Sequence, residues 1–258
     1  MADATLQHNA AAGHGLAGEY EAPLFGAYSK KVGMWLFLAS DSLTFGALLV
    51  AFSYNRISNP AWPTPFGKES IANATIMTAC LLSSSLTMVL GVLAAKRADK
   101  SWTRNWLLAT MAFGTAFIVL HGMEWSRLIA SGMTTSGNPW AATVPQFGGT
   151  FFTLTGMHML HVTLGVIYLG VIAFRKKFIP VLLAAWLVTW LATPAYSPFH
   201  YAAHVLLIAA LVCSVILWLK PKLYDAADTE VAGLYWHFVD LVWMFIFPLV
   251  YLMSTKIV

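Results

Sequence analysis

Of the 258 residues 59% are hydrophobic and only 10% are charged, against about 25% charged in a soluble domain, and the mean hydropathy is +0.68. This excludes a soluble globular enzyme and describes an integral membrane protein. The formal net charge of +4 needs no nucleic-acid partner, because basic loops gathered on one membrane face account for it.

Residues 1–29 read as a polar N-terminal arm. They lack a basic n-region and a continuous apolar core, so they are not read as a cleavable signal peptide, and His8 and His14 are read as solvated. Apolar runs of spanning length follow at residues 31–54, 72–95, 105–130, 148–174, 200–219 and 233–254, with a shorter one at 178–193. They predict an all-α, polytopic transmembrane bundle of about seven helices, with residues 30–258 as one domain. The Pro- and Gly-rich stretches at 59–67, 136–139 and 193–198 fall between the runs, where chain breakers belong. The two cysteines, Cys80 and Cys213, sit inside apolar runs without CxxC spacing, so neither a disulfide framework nor a thiolate metal centre is expected.

Lys and Arg are divided unequally among alternate loops, eleven on the side of Lys30 and Lys31 and four on the side of Arg56 and Arg127. The bias predicts a cytoplasmic N-terminus and an outside C-terminus. Lys176, Lys177, Lys220 and Lys222 flank residues 178–219 on the same side, so that segment must enter and return as a helical pair or a re-entrant hairpin.

Ionisable residues inside apolar runs are expensive to keep and mark the candidate sites. Asp41 lies near the middle of the first span, beside a small-xxx-small pair, Ser42 and Gly46, which is read as letting a neighbouring helix approach. Asp41 itself is read as functional, with a hydrogen-bonded packing acid as the alternative. His121 and Glu124 are three apart near the outer end of their helix, where a solvated ion pair is the simpler account. His158 and His161 are also three apart; that spacing can serve a metal, but no third ligand stands near, and they are read as packing histidines. His200 and His204 follow the next outer turn at i, i+4 without the Glu of an HExxH site, and are read as interfacial. In the last span Trp236, Asp240, Trp243 and Phe247 share a helical face with His237 beside them. His237 and Asp240 form either a satisfied pair near the water boundary or a site for a lipid headgroup or a proton.

Five stretches resemble subunit III of the haem-copper cytochrome c oxidases: residues 33–49 (GMWLFLASDSLTFGALL), 83–97, 121–125 (HGMEW), 148–166 (GGTFFTLTGMHMLHVTLGV) and 232–252 (AGLYWHFVDLVWMFIFPLVYL), in the family's order. The resemblance implies five family-core helices, beginning at the family's third helix as in its shorter bacterial members; the apolar stretch at about 178–219 departs from the family's pattern and is read as an inserted helical pair between its last two helices. The resemblance also implies a subunit without redox metal or catalytic centre, packed on oxidase subunits I and II, which hold haem and copper, in the bacterial cytoplasmic membrane. Supporting proton uptake, binding phospholipid and protecting the oxidase during turnover are the implied roles. Asp41 falls where the family usually has a carbodiimide-reactive Glu, one methylene longer. Glu124 matches the family's acid in its span, and His158, His161, Trp236, His237 and Asp240 fall in its two signature helices; these seven are the expected lipid-binding or proton-uptake residues. Residues 178–219 are expected to face lipid or further respiratory-complex subunits. An accessory subunit of nitric oxide reductase and a quinol oxidase subunit III share the core motifs. A retinal protein would need a Lys within its last helix, and Lys256 lies beyond it.

Overall fold

A computed structural model describes residues 29–137, 139–140, 144–174, 178–192, 208, 212 and 226–254. In chain order the helices are α1 (Ser29–Ser58), α2 (Lys68–Lys96), α3 (Lys100–Ala130), α4 (Gln146–Phe174), α5 (Phe178–Ala192) and α6 (Ala226–Ile246). A π-helical turn, Phe247–Tyr251, and a 3-10 turn, Leu252–Ser254, continue α6. Five of these helices are long and apolar enough to cross a membrane; α5, of 15 residues, is shorter. Among the described residues there is no strand, only an isolated bridge between Thr134 and Gly137. The second arm of the expected hairpin, with His200 and His204, lies outside the described residues apart from Ile208 and Val212, as do the arm at 1–28 and Cys213.

Local chemistry sets the turns between helices. Ala98, at φ 57°, reverses the chain after α2, and Asp99 caps α3 by accepting from the Trp102 amide at 3.1 Å. At the other end of α3, Gly132 takes φ 94°, and the Met133 amide reaches back to the Leu128 carbonyl at 3.1 Å. That is the left-handed C-terminal stop for which glycine is suited.

Contacts at the two ends fix the direction of each helix. Lys30 pairs with Asp228 at 2.6 Å, and Glu230 pairs with Lys31 at 2.8 Å and Lys96 at 3.7 Å. The starts of α1 and α6 and the end of α2 therefore share one rim. At the opposite end Trp62 and Phe66, from the connection between α1 and α2, fold over the bundle. Trp62 meets Phe52 of α1 and Phe147 of α4, and Phe66 meets Phe151 and Tyr251. So α1 and α6 run parallel and α4 runs against them. The end of α4 and the start of α6 lie on the same side, as the charge count across 178–219 requires.

Helix α6 begins seven residues before its apolar run at 233, because Asp228 and Glu230 in the polar first turns are held by the rim lysines. Helix α1 buries only Leu38, Phe45 and Phe52, one residue every two turns, and turns Trp35, Leu43, Val50 and Ile57 outward. Ser42 and Gly46 depart from the expected helix–helix contact. A Cβ built on Gly46 would meet nothing within 4 Å, and the Ser42 hydroxyl bonds its own helix at the Leu38 carbonyl. The close approaches are made instead by Gly114 of α3 and Gly165 of α4, between which the indole of Trp236 is wedged: Cβ atoms there would lie 2.6 Å and 2.9 Å from its ring.

Candidate functional site

Three clusters of polar side chains lie inside the bundle. The first joins α1, α4 and α6 around Asp41, whose Oδ2 stands 3.2 Å from His161 Nε2, both side chains being about nine-tenths buried. The geometry falls short of a hydrogen bond, so this is a close polar contact. The other ring nitrogen, Nδ1, donates to the Met157 carbonyl of the same helix at 2.7 Å, since a carbonyl only accepts. Phe45 lies edge-on to the imidazole at 5.1 Å, and the Tyr235 hydroxyl donates to the His161 carbonyl at 2.9 Å. One proton between Nε2 and Oδ2 makes this contact attractive; without it a lone pair would face a carboxylate oxygen.

The second cluster joins α2 and α6. Trp236 Nε1 donates to Ser84 Oγ at 2.9 Å, and the neighbouring Ser85 shares a hydrogen bond with His237 Nδ1 at 2.7 Å. Ser85 also faces the Asp240 carboxylate, at a geometry short of a hydrogen bond. His237 and Asp240 are thus neighbours through a serine of another helix, not a directly bonded pair, and Asp240 is buried rather than wetted.

The third cluster is centred on Glu124. A solvated pair with His121 was the expectation, yet Glu124 is 3% exposed and His121 fully buried. The reason is the aromatic cover of Trp62, Phe66 and Tyr251, which seals that end of the bundle. Glu124 Oε2 accepts instead from Asn73 Nδ2 at 2.6 Å. His121 packs among Phe117, Trp125 and Trp243, and His158 stacks on Trp243 at 5.2 Å and 26°. His158 and His161 therefore share Phe45 but otherwise meet different groups, Trp243 for the first and Asp41 for the second. Among the described residues no three His, Cys, Asp or Glu side chains converge as metal ligands.

Sequence spacing could not supply Ser84, Ser85, Asn73, Tyr235, Tyr251, Gly114 or Gly165. Each acts across helices far apart in the chain. The one available signal was that a large Trp236 beside an apolar seam needs glycine partners.

An all-helical bundle with at least five membrane-capable helices, apolar outside and carrying carboxylates and imidazoles inside, defines a polytopic membrane protein whose interior is built from polar contacts between helices. The family model for cytochrome c oxidase subunit III matches residues 17–182, more than half of the chain. The curated cytochrome c oxidase subunit 3 of Alkalihalophilus pseudofirmus is 29% identical over 230 residues, covering 88% of each chain. That of Bacillus subtilis is 29% identical over 226 residues, covering 88% of this chain and 87% of its own. That of Thermostichus vulcanus is 27% identical over 223 residues, covering 86% and 87%. The chain belongs to the cytochrome c oxidase subunit III family, and as such is the third subunit of a terminal oxidase.

Proposed function

We propose that this subunit is non-catalytic: it packs on oxidase subunits I and II, which carry haem and copper and reduce dioxygen with electrons from cytochrome c, and it supports proton uptake and binds phospholipid. The observation that carries the reading is the buried Asp41–His161 contact, at the position where the family resemblance implies a reactive carboxyl. Such a pair can hold a proton without any metal. Asp41, Glu124, His158, His161, Trp236, His237 and Asp240 are the proposed lipid-binding or proton-uptake residues. The outward apolar face of α1 suits either lipid or a partner subunit.

Residues 30–258 form one transmembrane domain of seven helices, five from the family core and two from the inserted pair, in a bacterial cytoplasmic membrane. The N-terminus is cytoplasmic and the C-terminus outside. The side shared by the end of α4 and the start of α6 supports the inserted pair, and the Lys/Arg bias supports the orientation. Further subunits dock at 178–219.

The test is a complex prepared without this chain. It keeps its haem spectrum and initial rate of oxygen reduction, and loses activity during sustained turnover. Loss of haem together with the chain would contradict the non-catalytic reading.

A further inference from the structure

Three side chains from different elements surround the indole of Trp243: His121 of α3 at 5.7 Å, His158 of α4 at 5.2 Å and Tyr251 of the π-helical turn at 6.0 Å between ring centroids. All three are fully buried. Both ring nitrogens of His121, both of His158 and the Tyr251 hydroxyl lack a hydrogen-bond partner among the described residues. Trp243 itself is satisfied, donating from Nε1 to Thr78 Oγ1 at 2.9 Å. Five orphaned polar atoms gathered around one ring are far from the rule that buried polar groups are paired, and helices in a membrane have no bulk water to turn to.

The kind of atom present selects the ligand. A neutral imidazole brings one N–H donor and one acceptor lone pair, and a phenol brings one donor and acceptor capacity. The ring around Trp243 thus offers donors and acceptors in balance. An anion would want donors only, and a metal ion would want a convergent third ligand, which the described residues do not supply. Water, with two donors and two acceptors, matches such a set, and buried waters typically make about three hydrogen bonds to groups of this kind.

We propose that His121, His158 and Tyr251 form a binding site for internal water, a small ordered cluster held around Trp243 inside the end of the bundle that Trp62, Phe66 and Tyr251 cover. The π-helical turn is what aims Tyr251 inward: Pro248 removes a donor from the helical ladder, and the widened turn carries the phenol over Phe66 and Trp243. The site is defined by this chain's own side chains; it shares His158 with the residues proposed above, while His121 and Tyr251 lie outside that set.

The test uses the intact oxidase complex, imaged at a resolution at which water is visible. The expected result is density within about 2.6–3.2 Å of an imidazole nitrogen of His121 and of His158 and of the Tyr251 hydroxyl. Direct bonds from these atoms to protein groups, or an apolar surrounding without density, would overturn the proposal. Tyr251→Phe, which keeps the ring, gives a second readout. If the hydroxyl holds water, the variant melts at a lower temperature than the parent and loses density beside Trp243. An unchanged or raised melting temperature would mean that the hydroxyl was dry, and the site would be rejected.

Discussion

Asp41 and His161 meet across two helices, and the hydrogen bond from Nδ1 to Met157 leaves only Nε2 free to face the carboxylate. Removing one member of a buried polar contact strands the other, at roughly 1–3 kcal/mol. Asp41→Ala should therefore lower the stability of the purified complex by about that amount, and Asp41→Ala with His161→Ala should cost less than the two single changes together, as read from melting curves in a double-mutant cycle. Additive effects would show that the contact does not couple them. Asp41 should also take up a hydrophobic carbodiimide, with the adduct mass on its peptide lost in Asp41→Asn. None of this pairing was legible from spacing. The i, i+3 rule places His158 with His161 and His237 with Asp240 on one face, whereas the structure sets His161 against Asp41 of α1, stacks His158 on Trp243 of α6 and bonds His237 to Ser85 of α2. Spacing along a helix says which residues share a face, not what stands opposite.

At the scale of elements, the wedge of Trp236 between Gly114 and Gly165 sets how closely α3, α4 and α6 approach. Gly165→Ala would bring a methyl within 2.9 Å of the indole, which Gly114 blocks from moving to the other side. The expected loss is about 1–3 kcal/mol of overpacking strain, measured as thermal stability, and an unchanged melting temperature would refute the wedge. The rim contacts of Glu230 are a contrasting case. Both its lysine partners are partly exposed, so Glu230→Gln should change stability by roughly 0–1 kcal/mol, and less in high salt. Helix existence was legible because an apolar run of spanning length has few alternatives in a membrane, and α1 to α4 match their runs within a few residues. The early start of α6 was not, because its first turns are polar and held by lysines from other helices. Nor was the π-helical turn, since nothing in an apolar run announces a change of pitch apart from Pro248.

For the whole molecule, the parallel course of α1 and α6 joins the sequence charge pattern to the packing. A reporter fused after the C-terminus should be active only on the outside, and one placed between residues 176 and 178 only in the cytoplasm; the reverse pattern would turn the subunit over. Family membership was readable from five ordered motifs, and from the Lys/Arg bias that the chain returns across 178–219 to the side it left, the side that the end of α4 and the start of α6 share. The interior polar clusters belong to the packed bundle, because burial under Trp62, Phe66 and Tyr251 exists only once the ends have folded together. The measurement that bears most directly on the account is mild-detergent purification of the tagged chain from its native membrane, with its partners identified and its optical spectrum taken. The account predicts a large polytopic partner with haem and oxygen-reducing activity, the separated chain being colourless. A chain that came alone with stoichiometric haem would contradict it, and its membrane histidines would then be ligands.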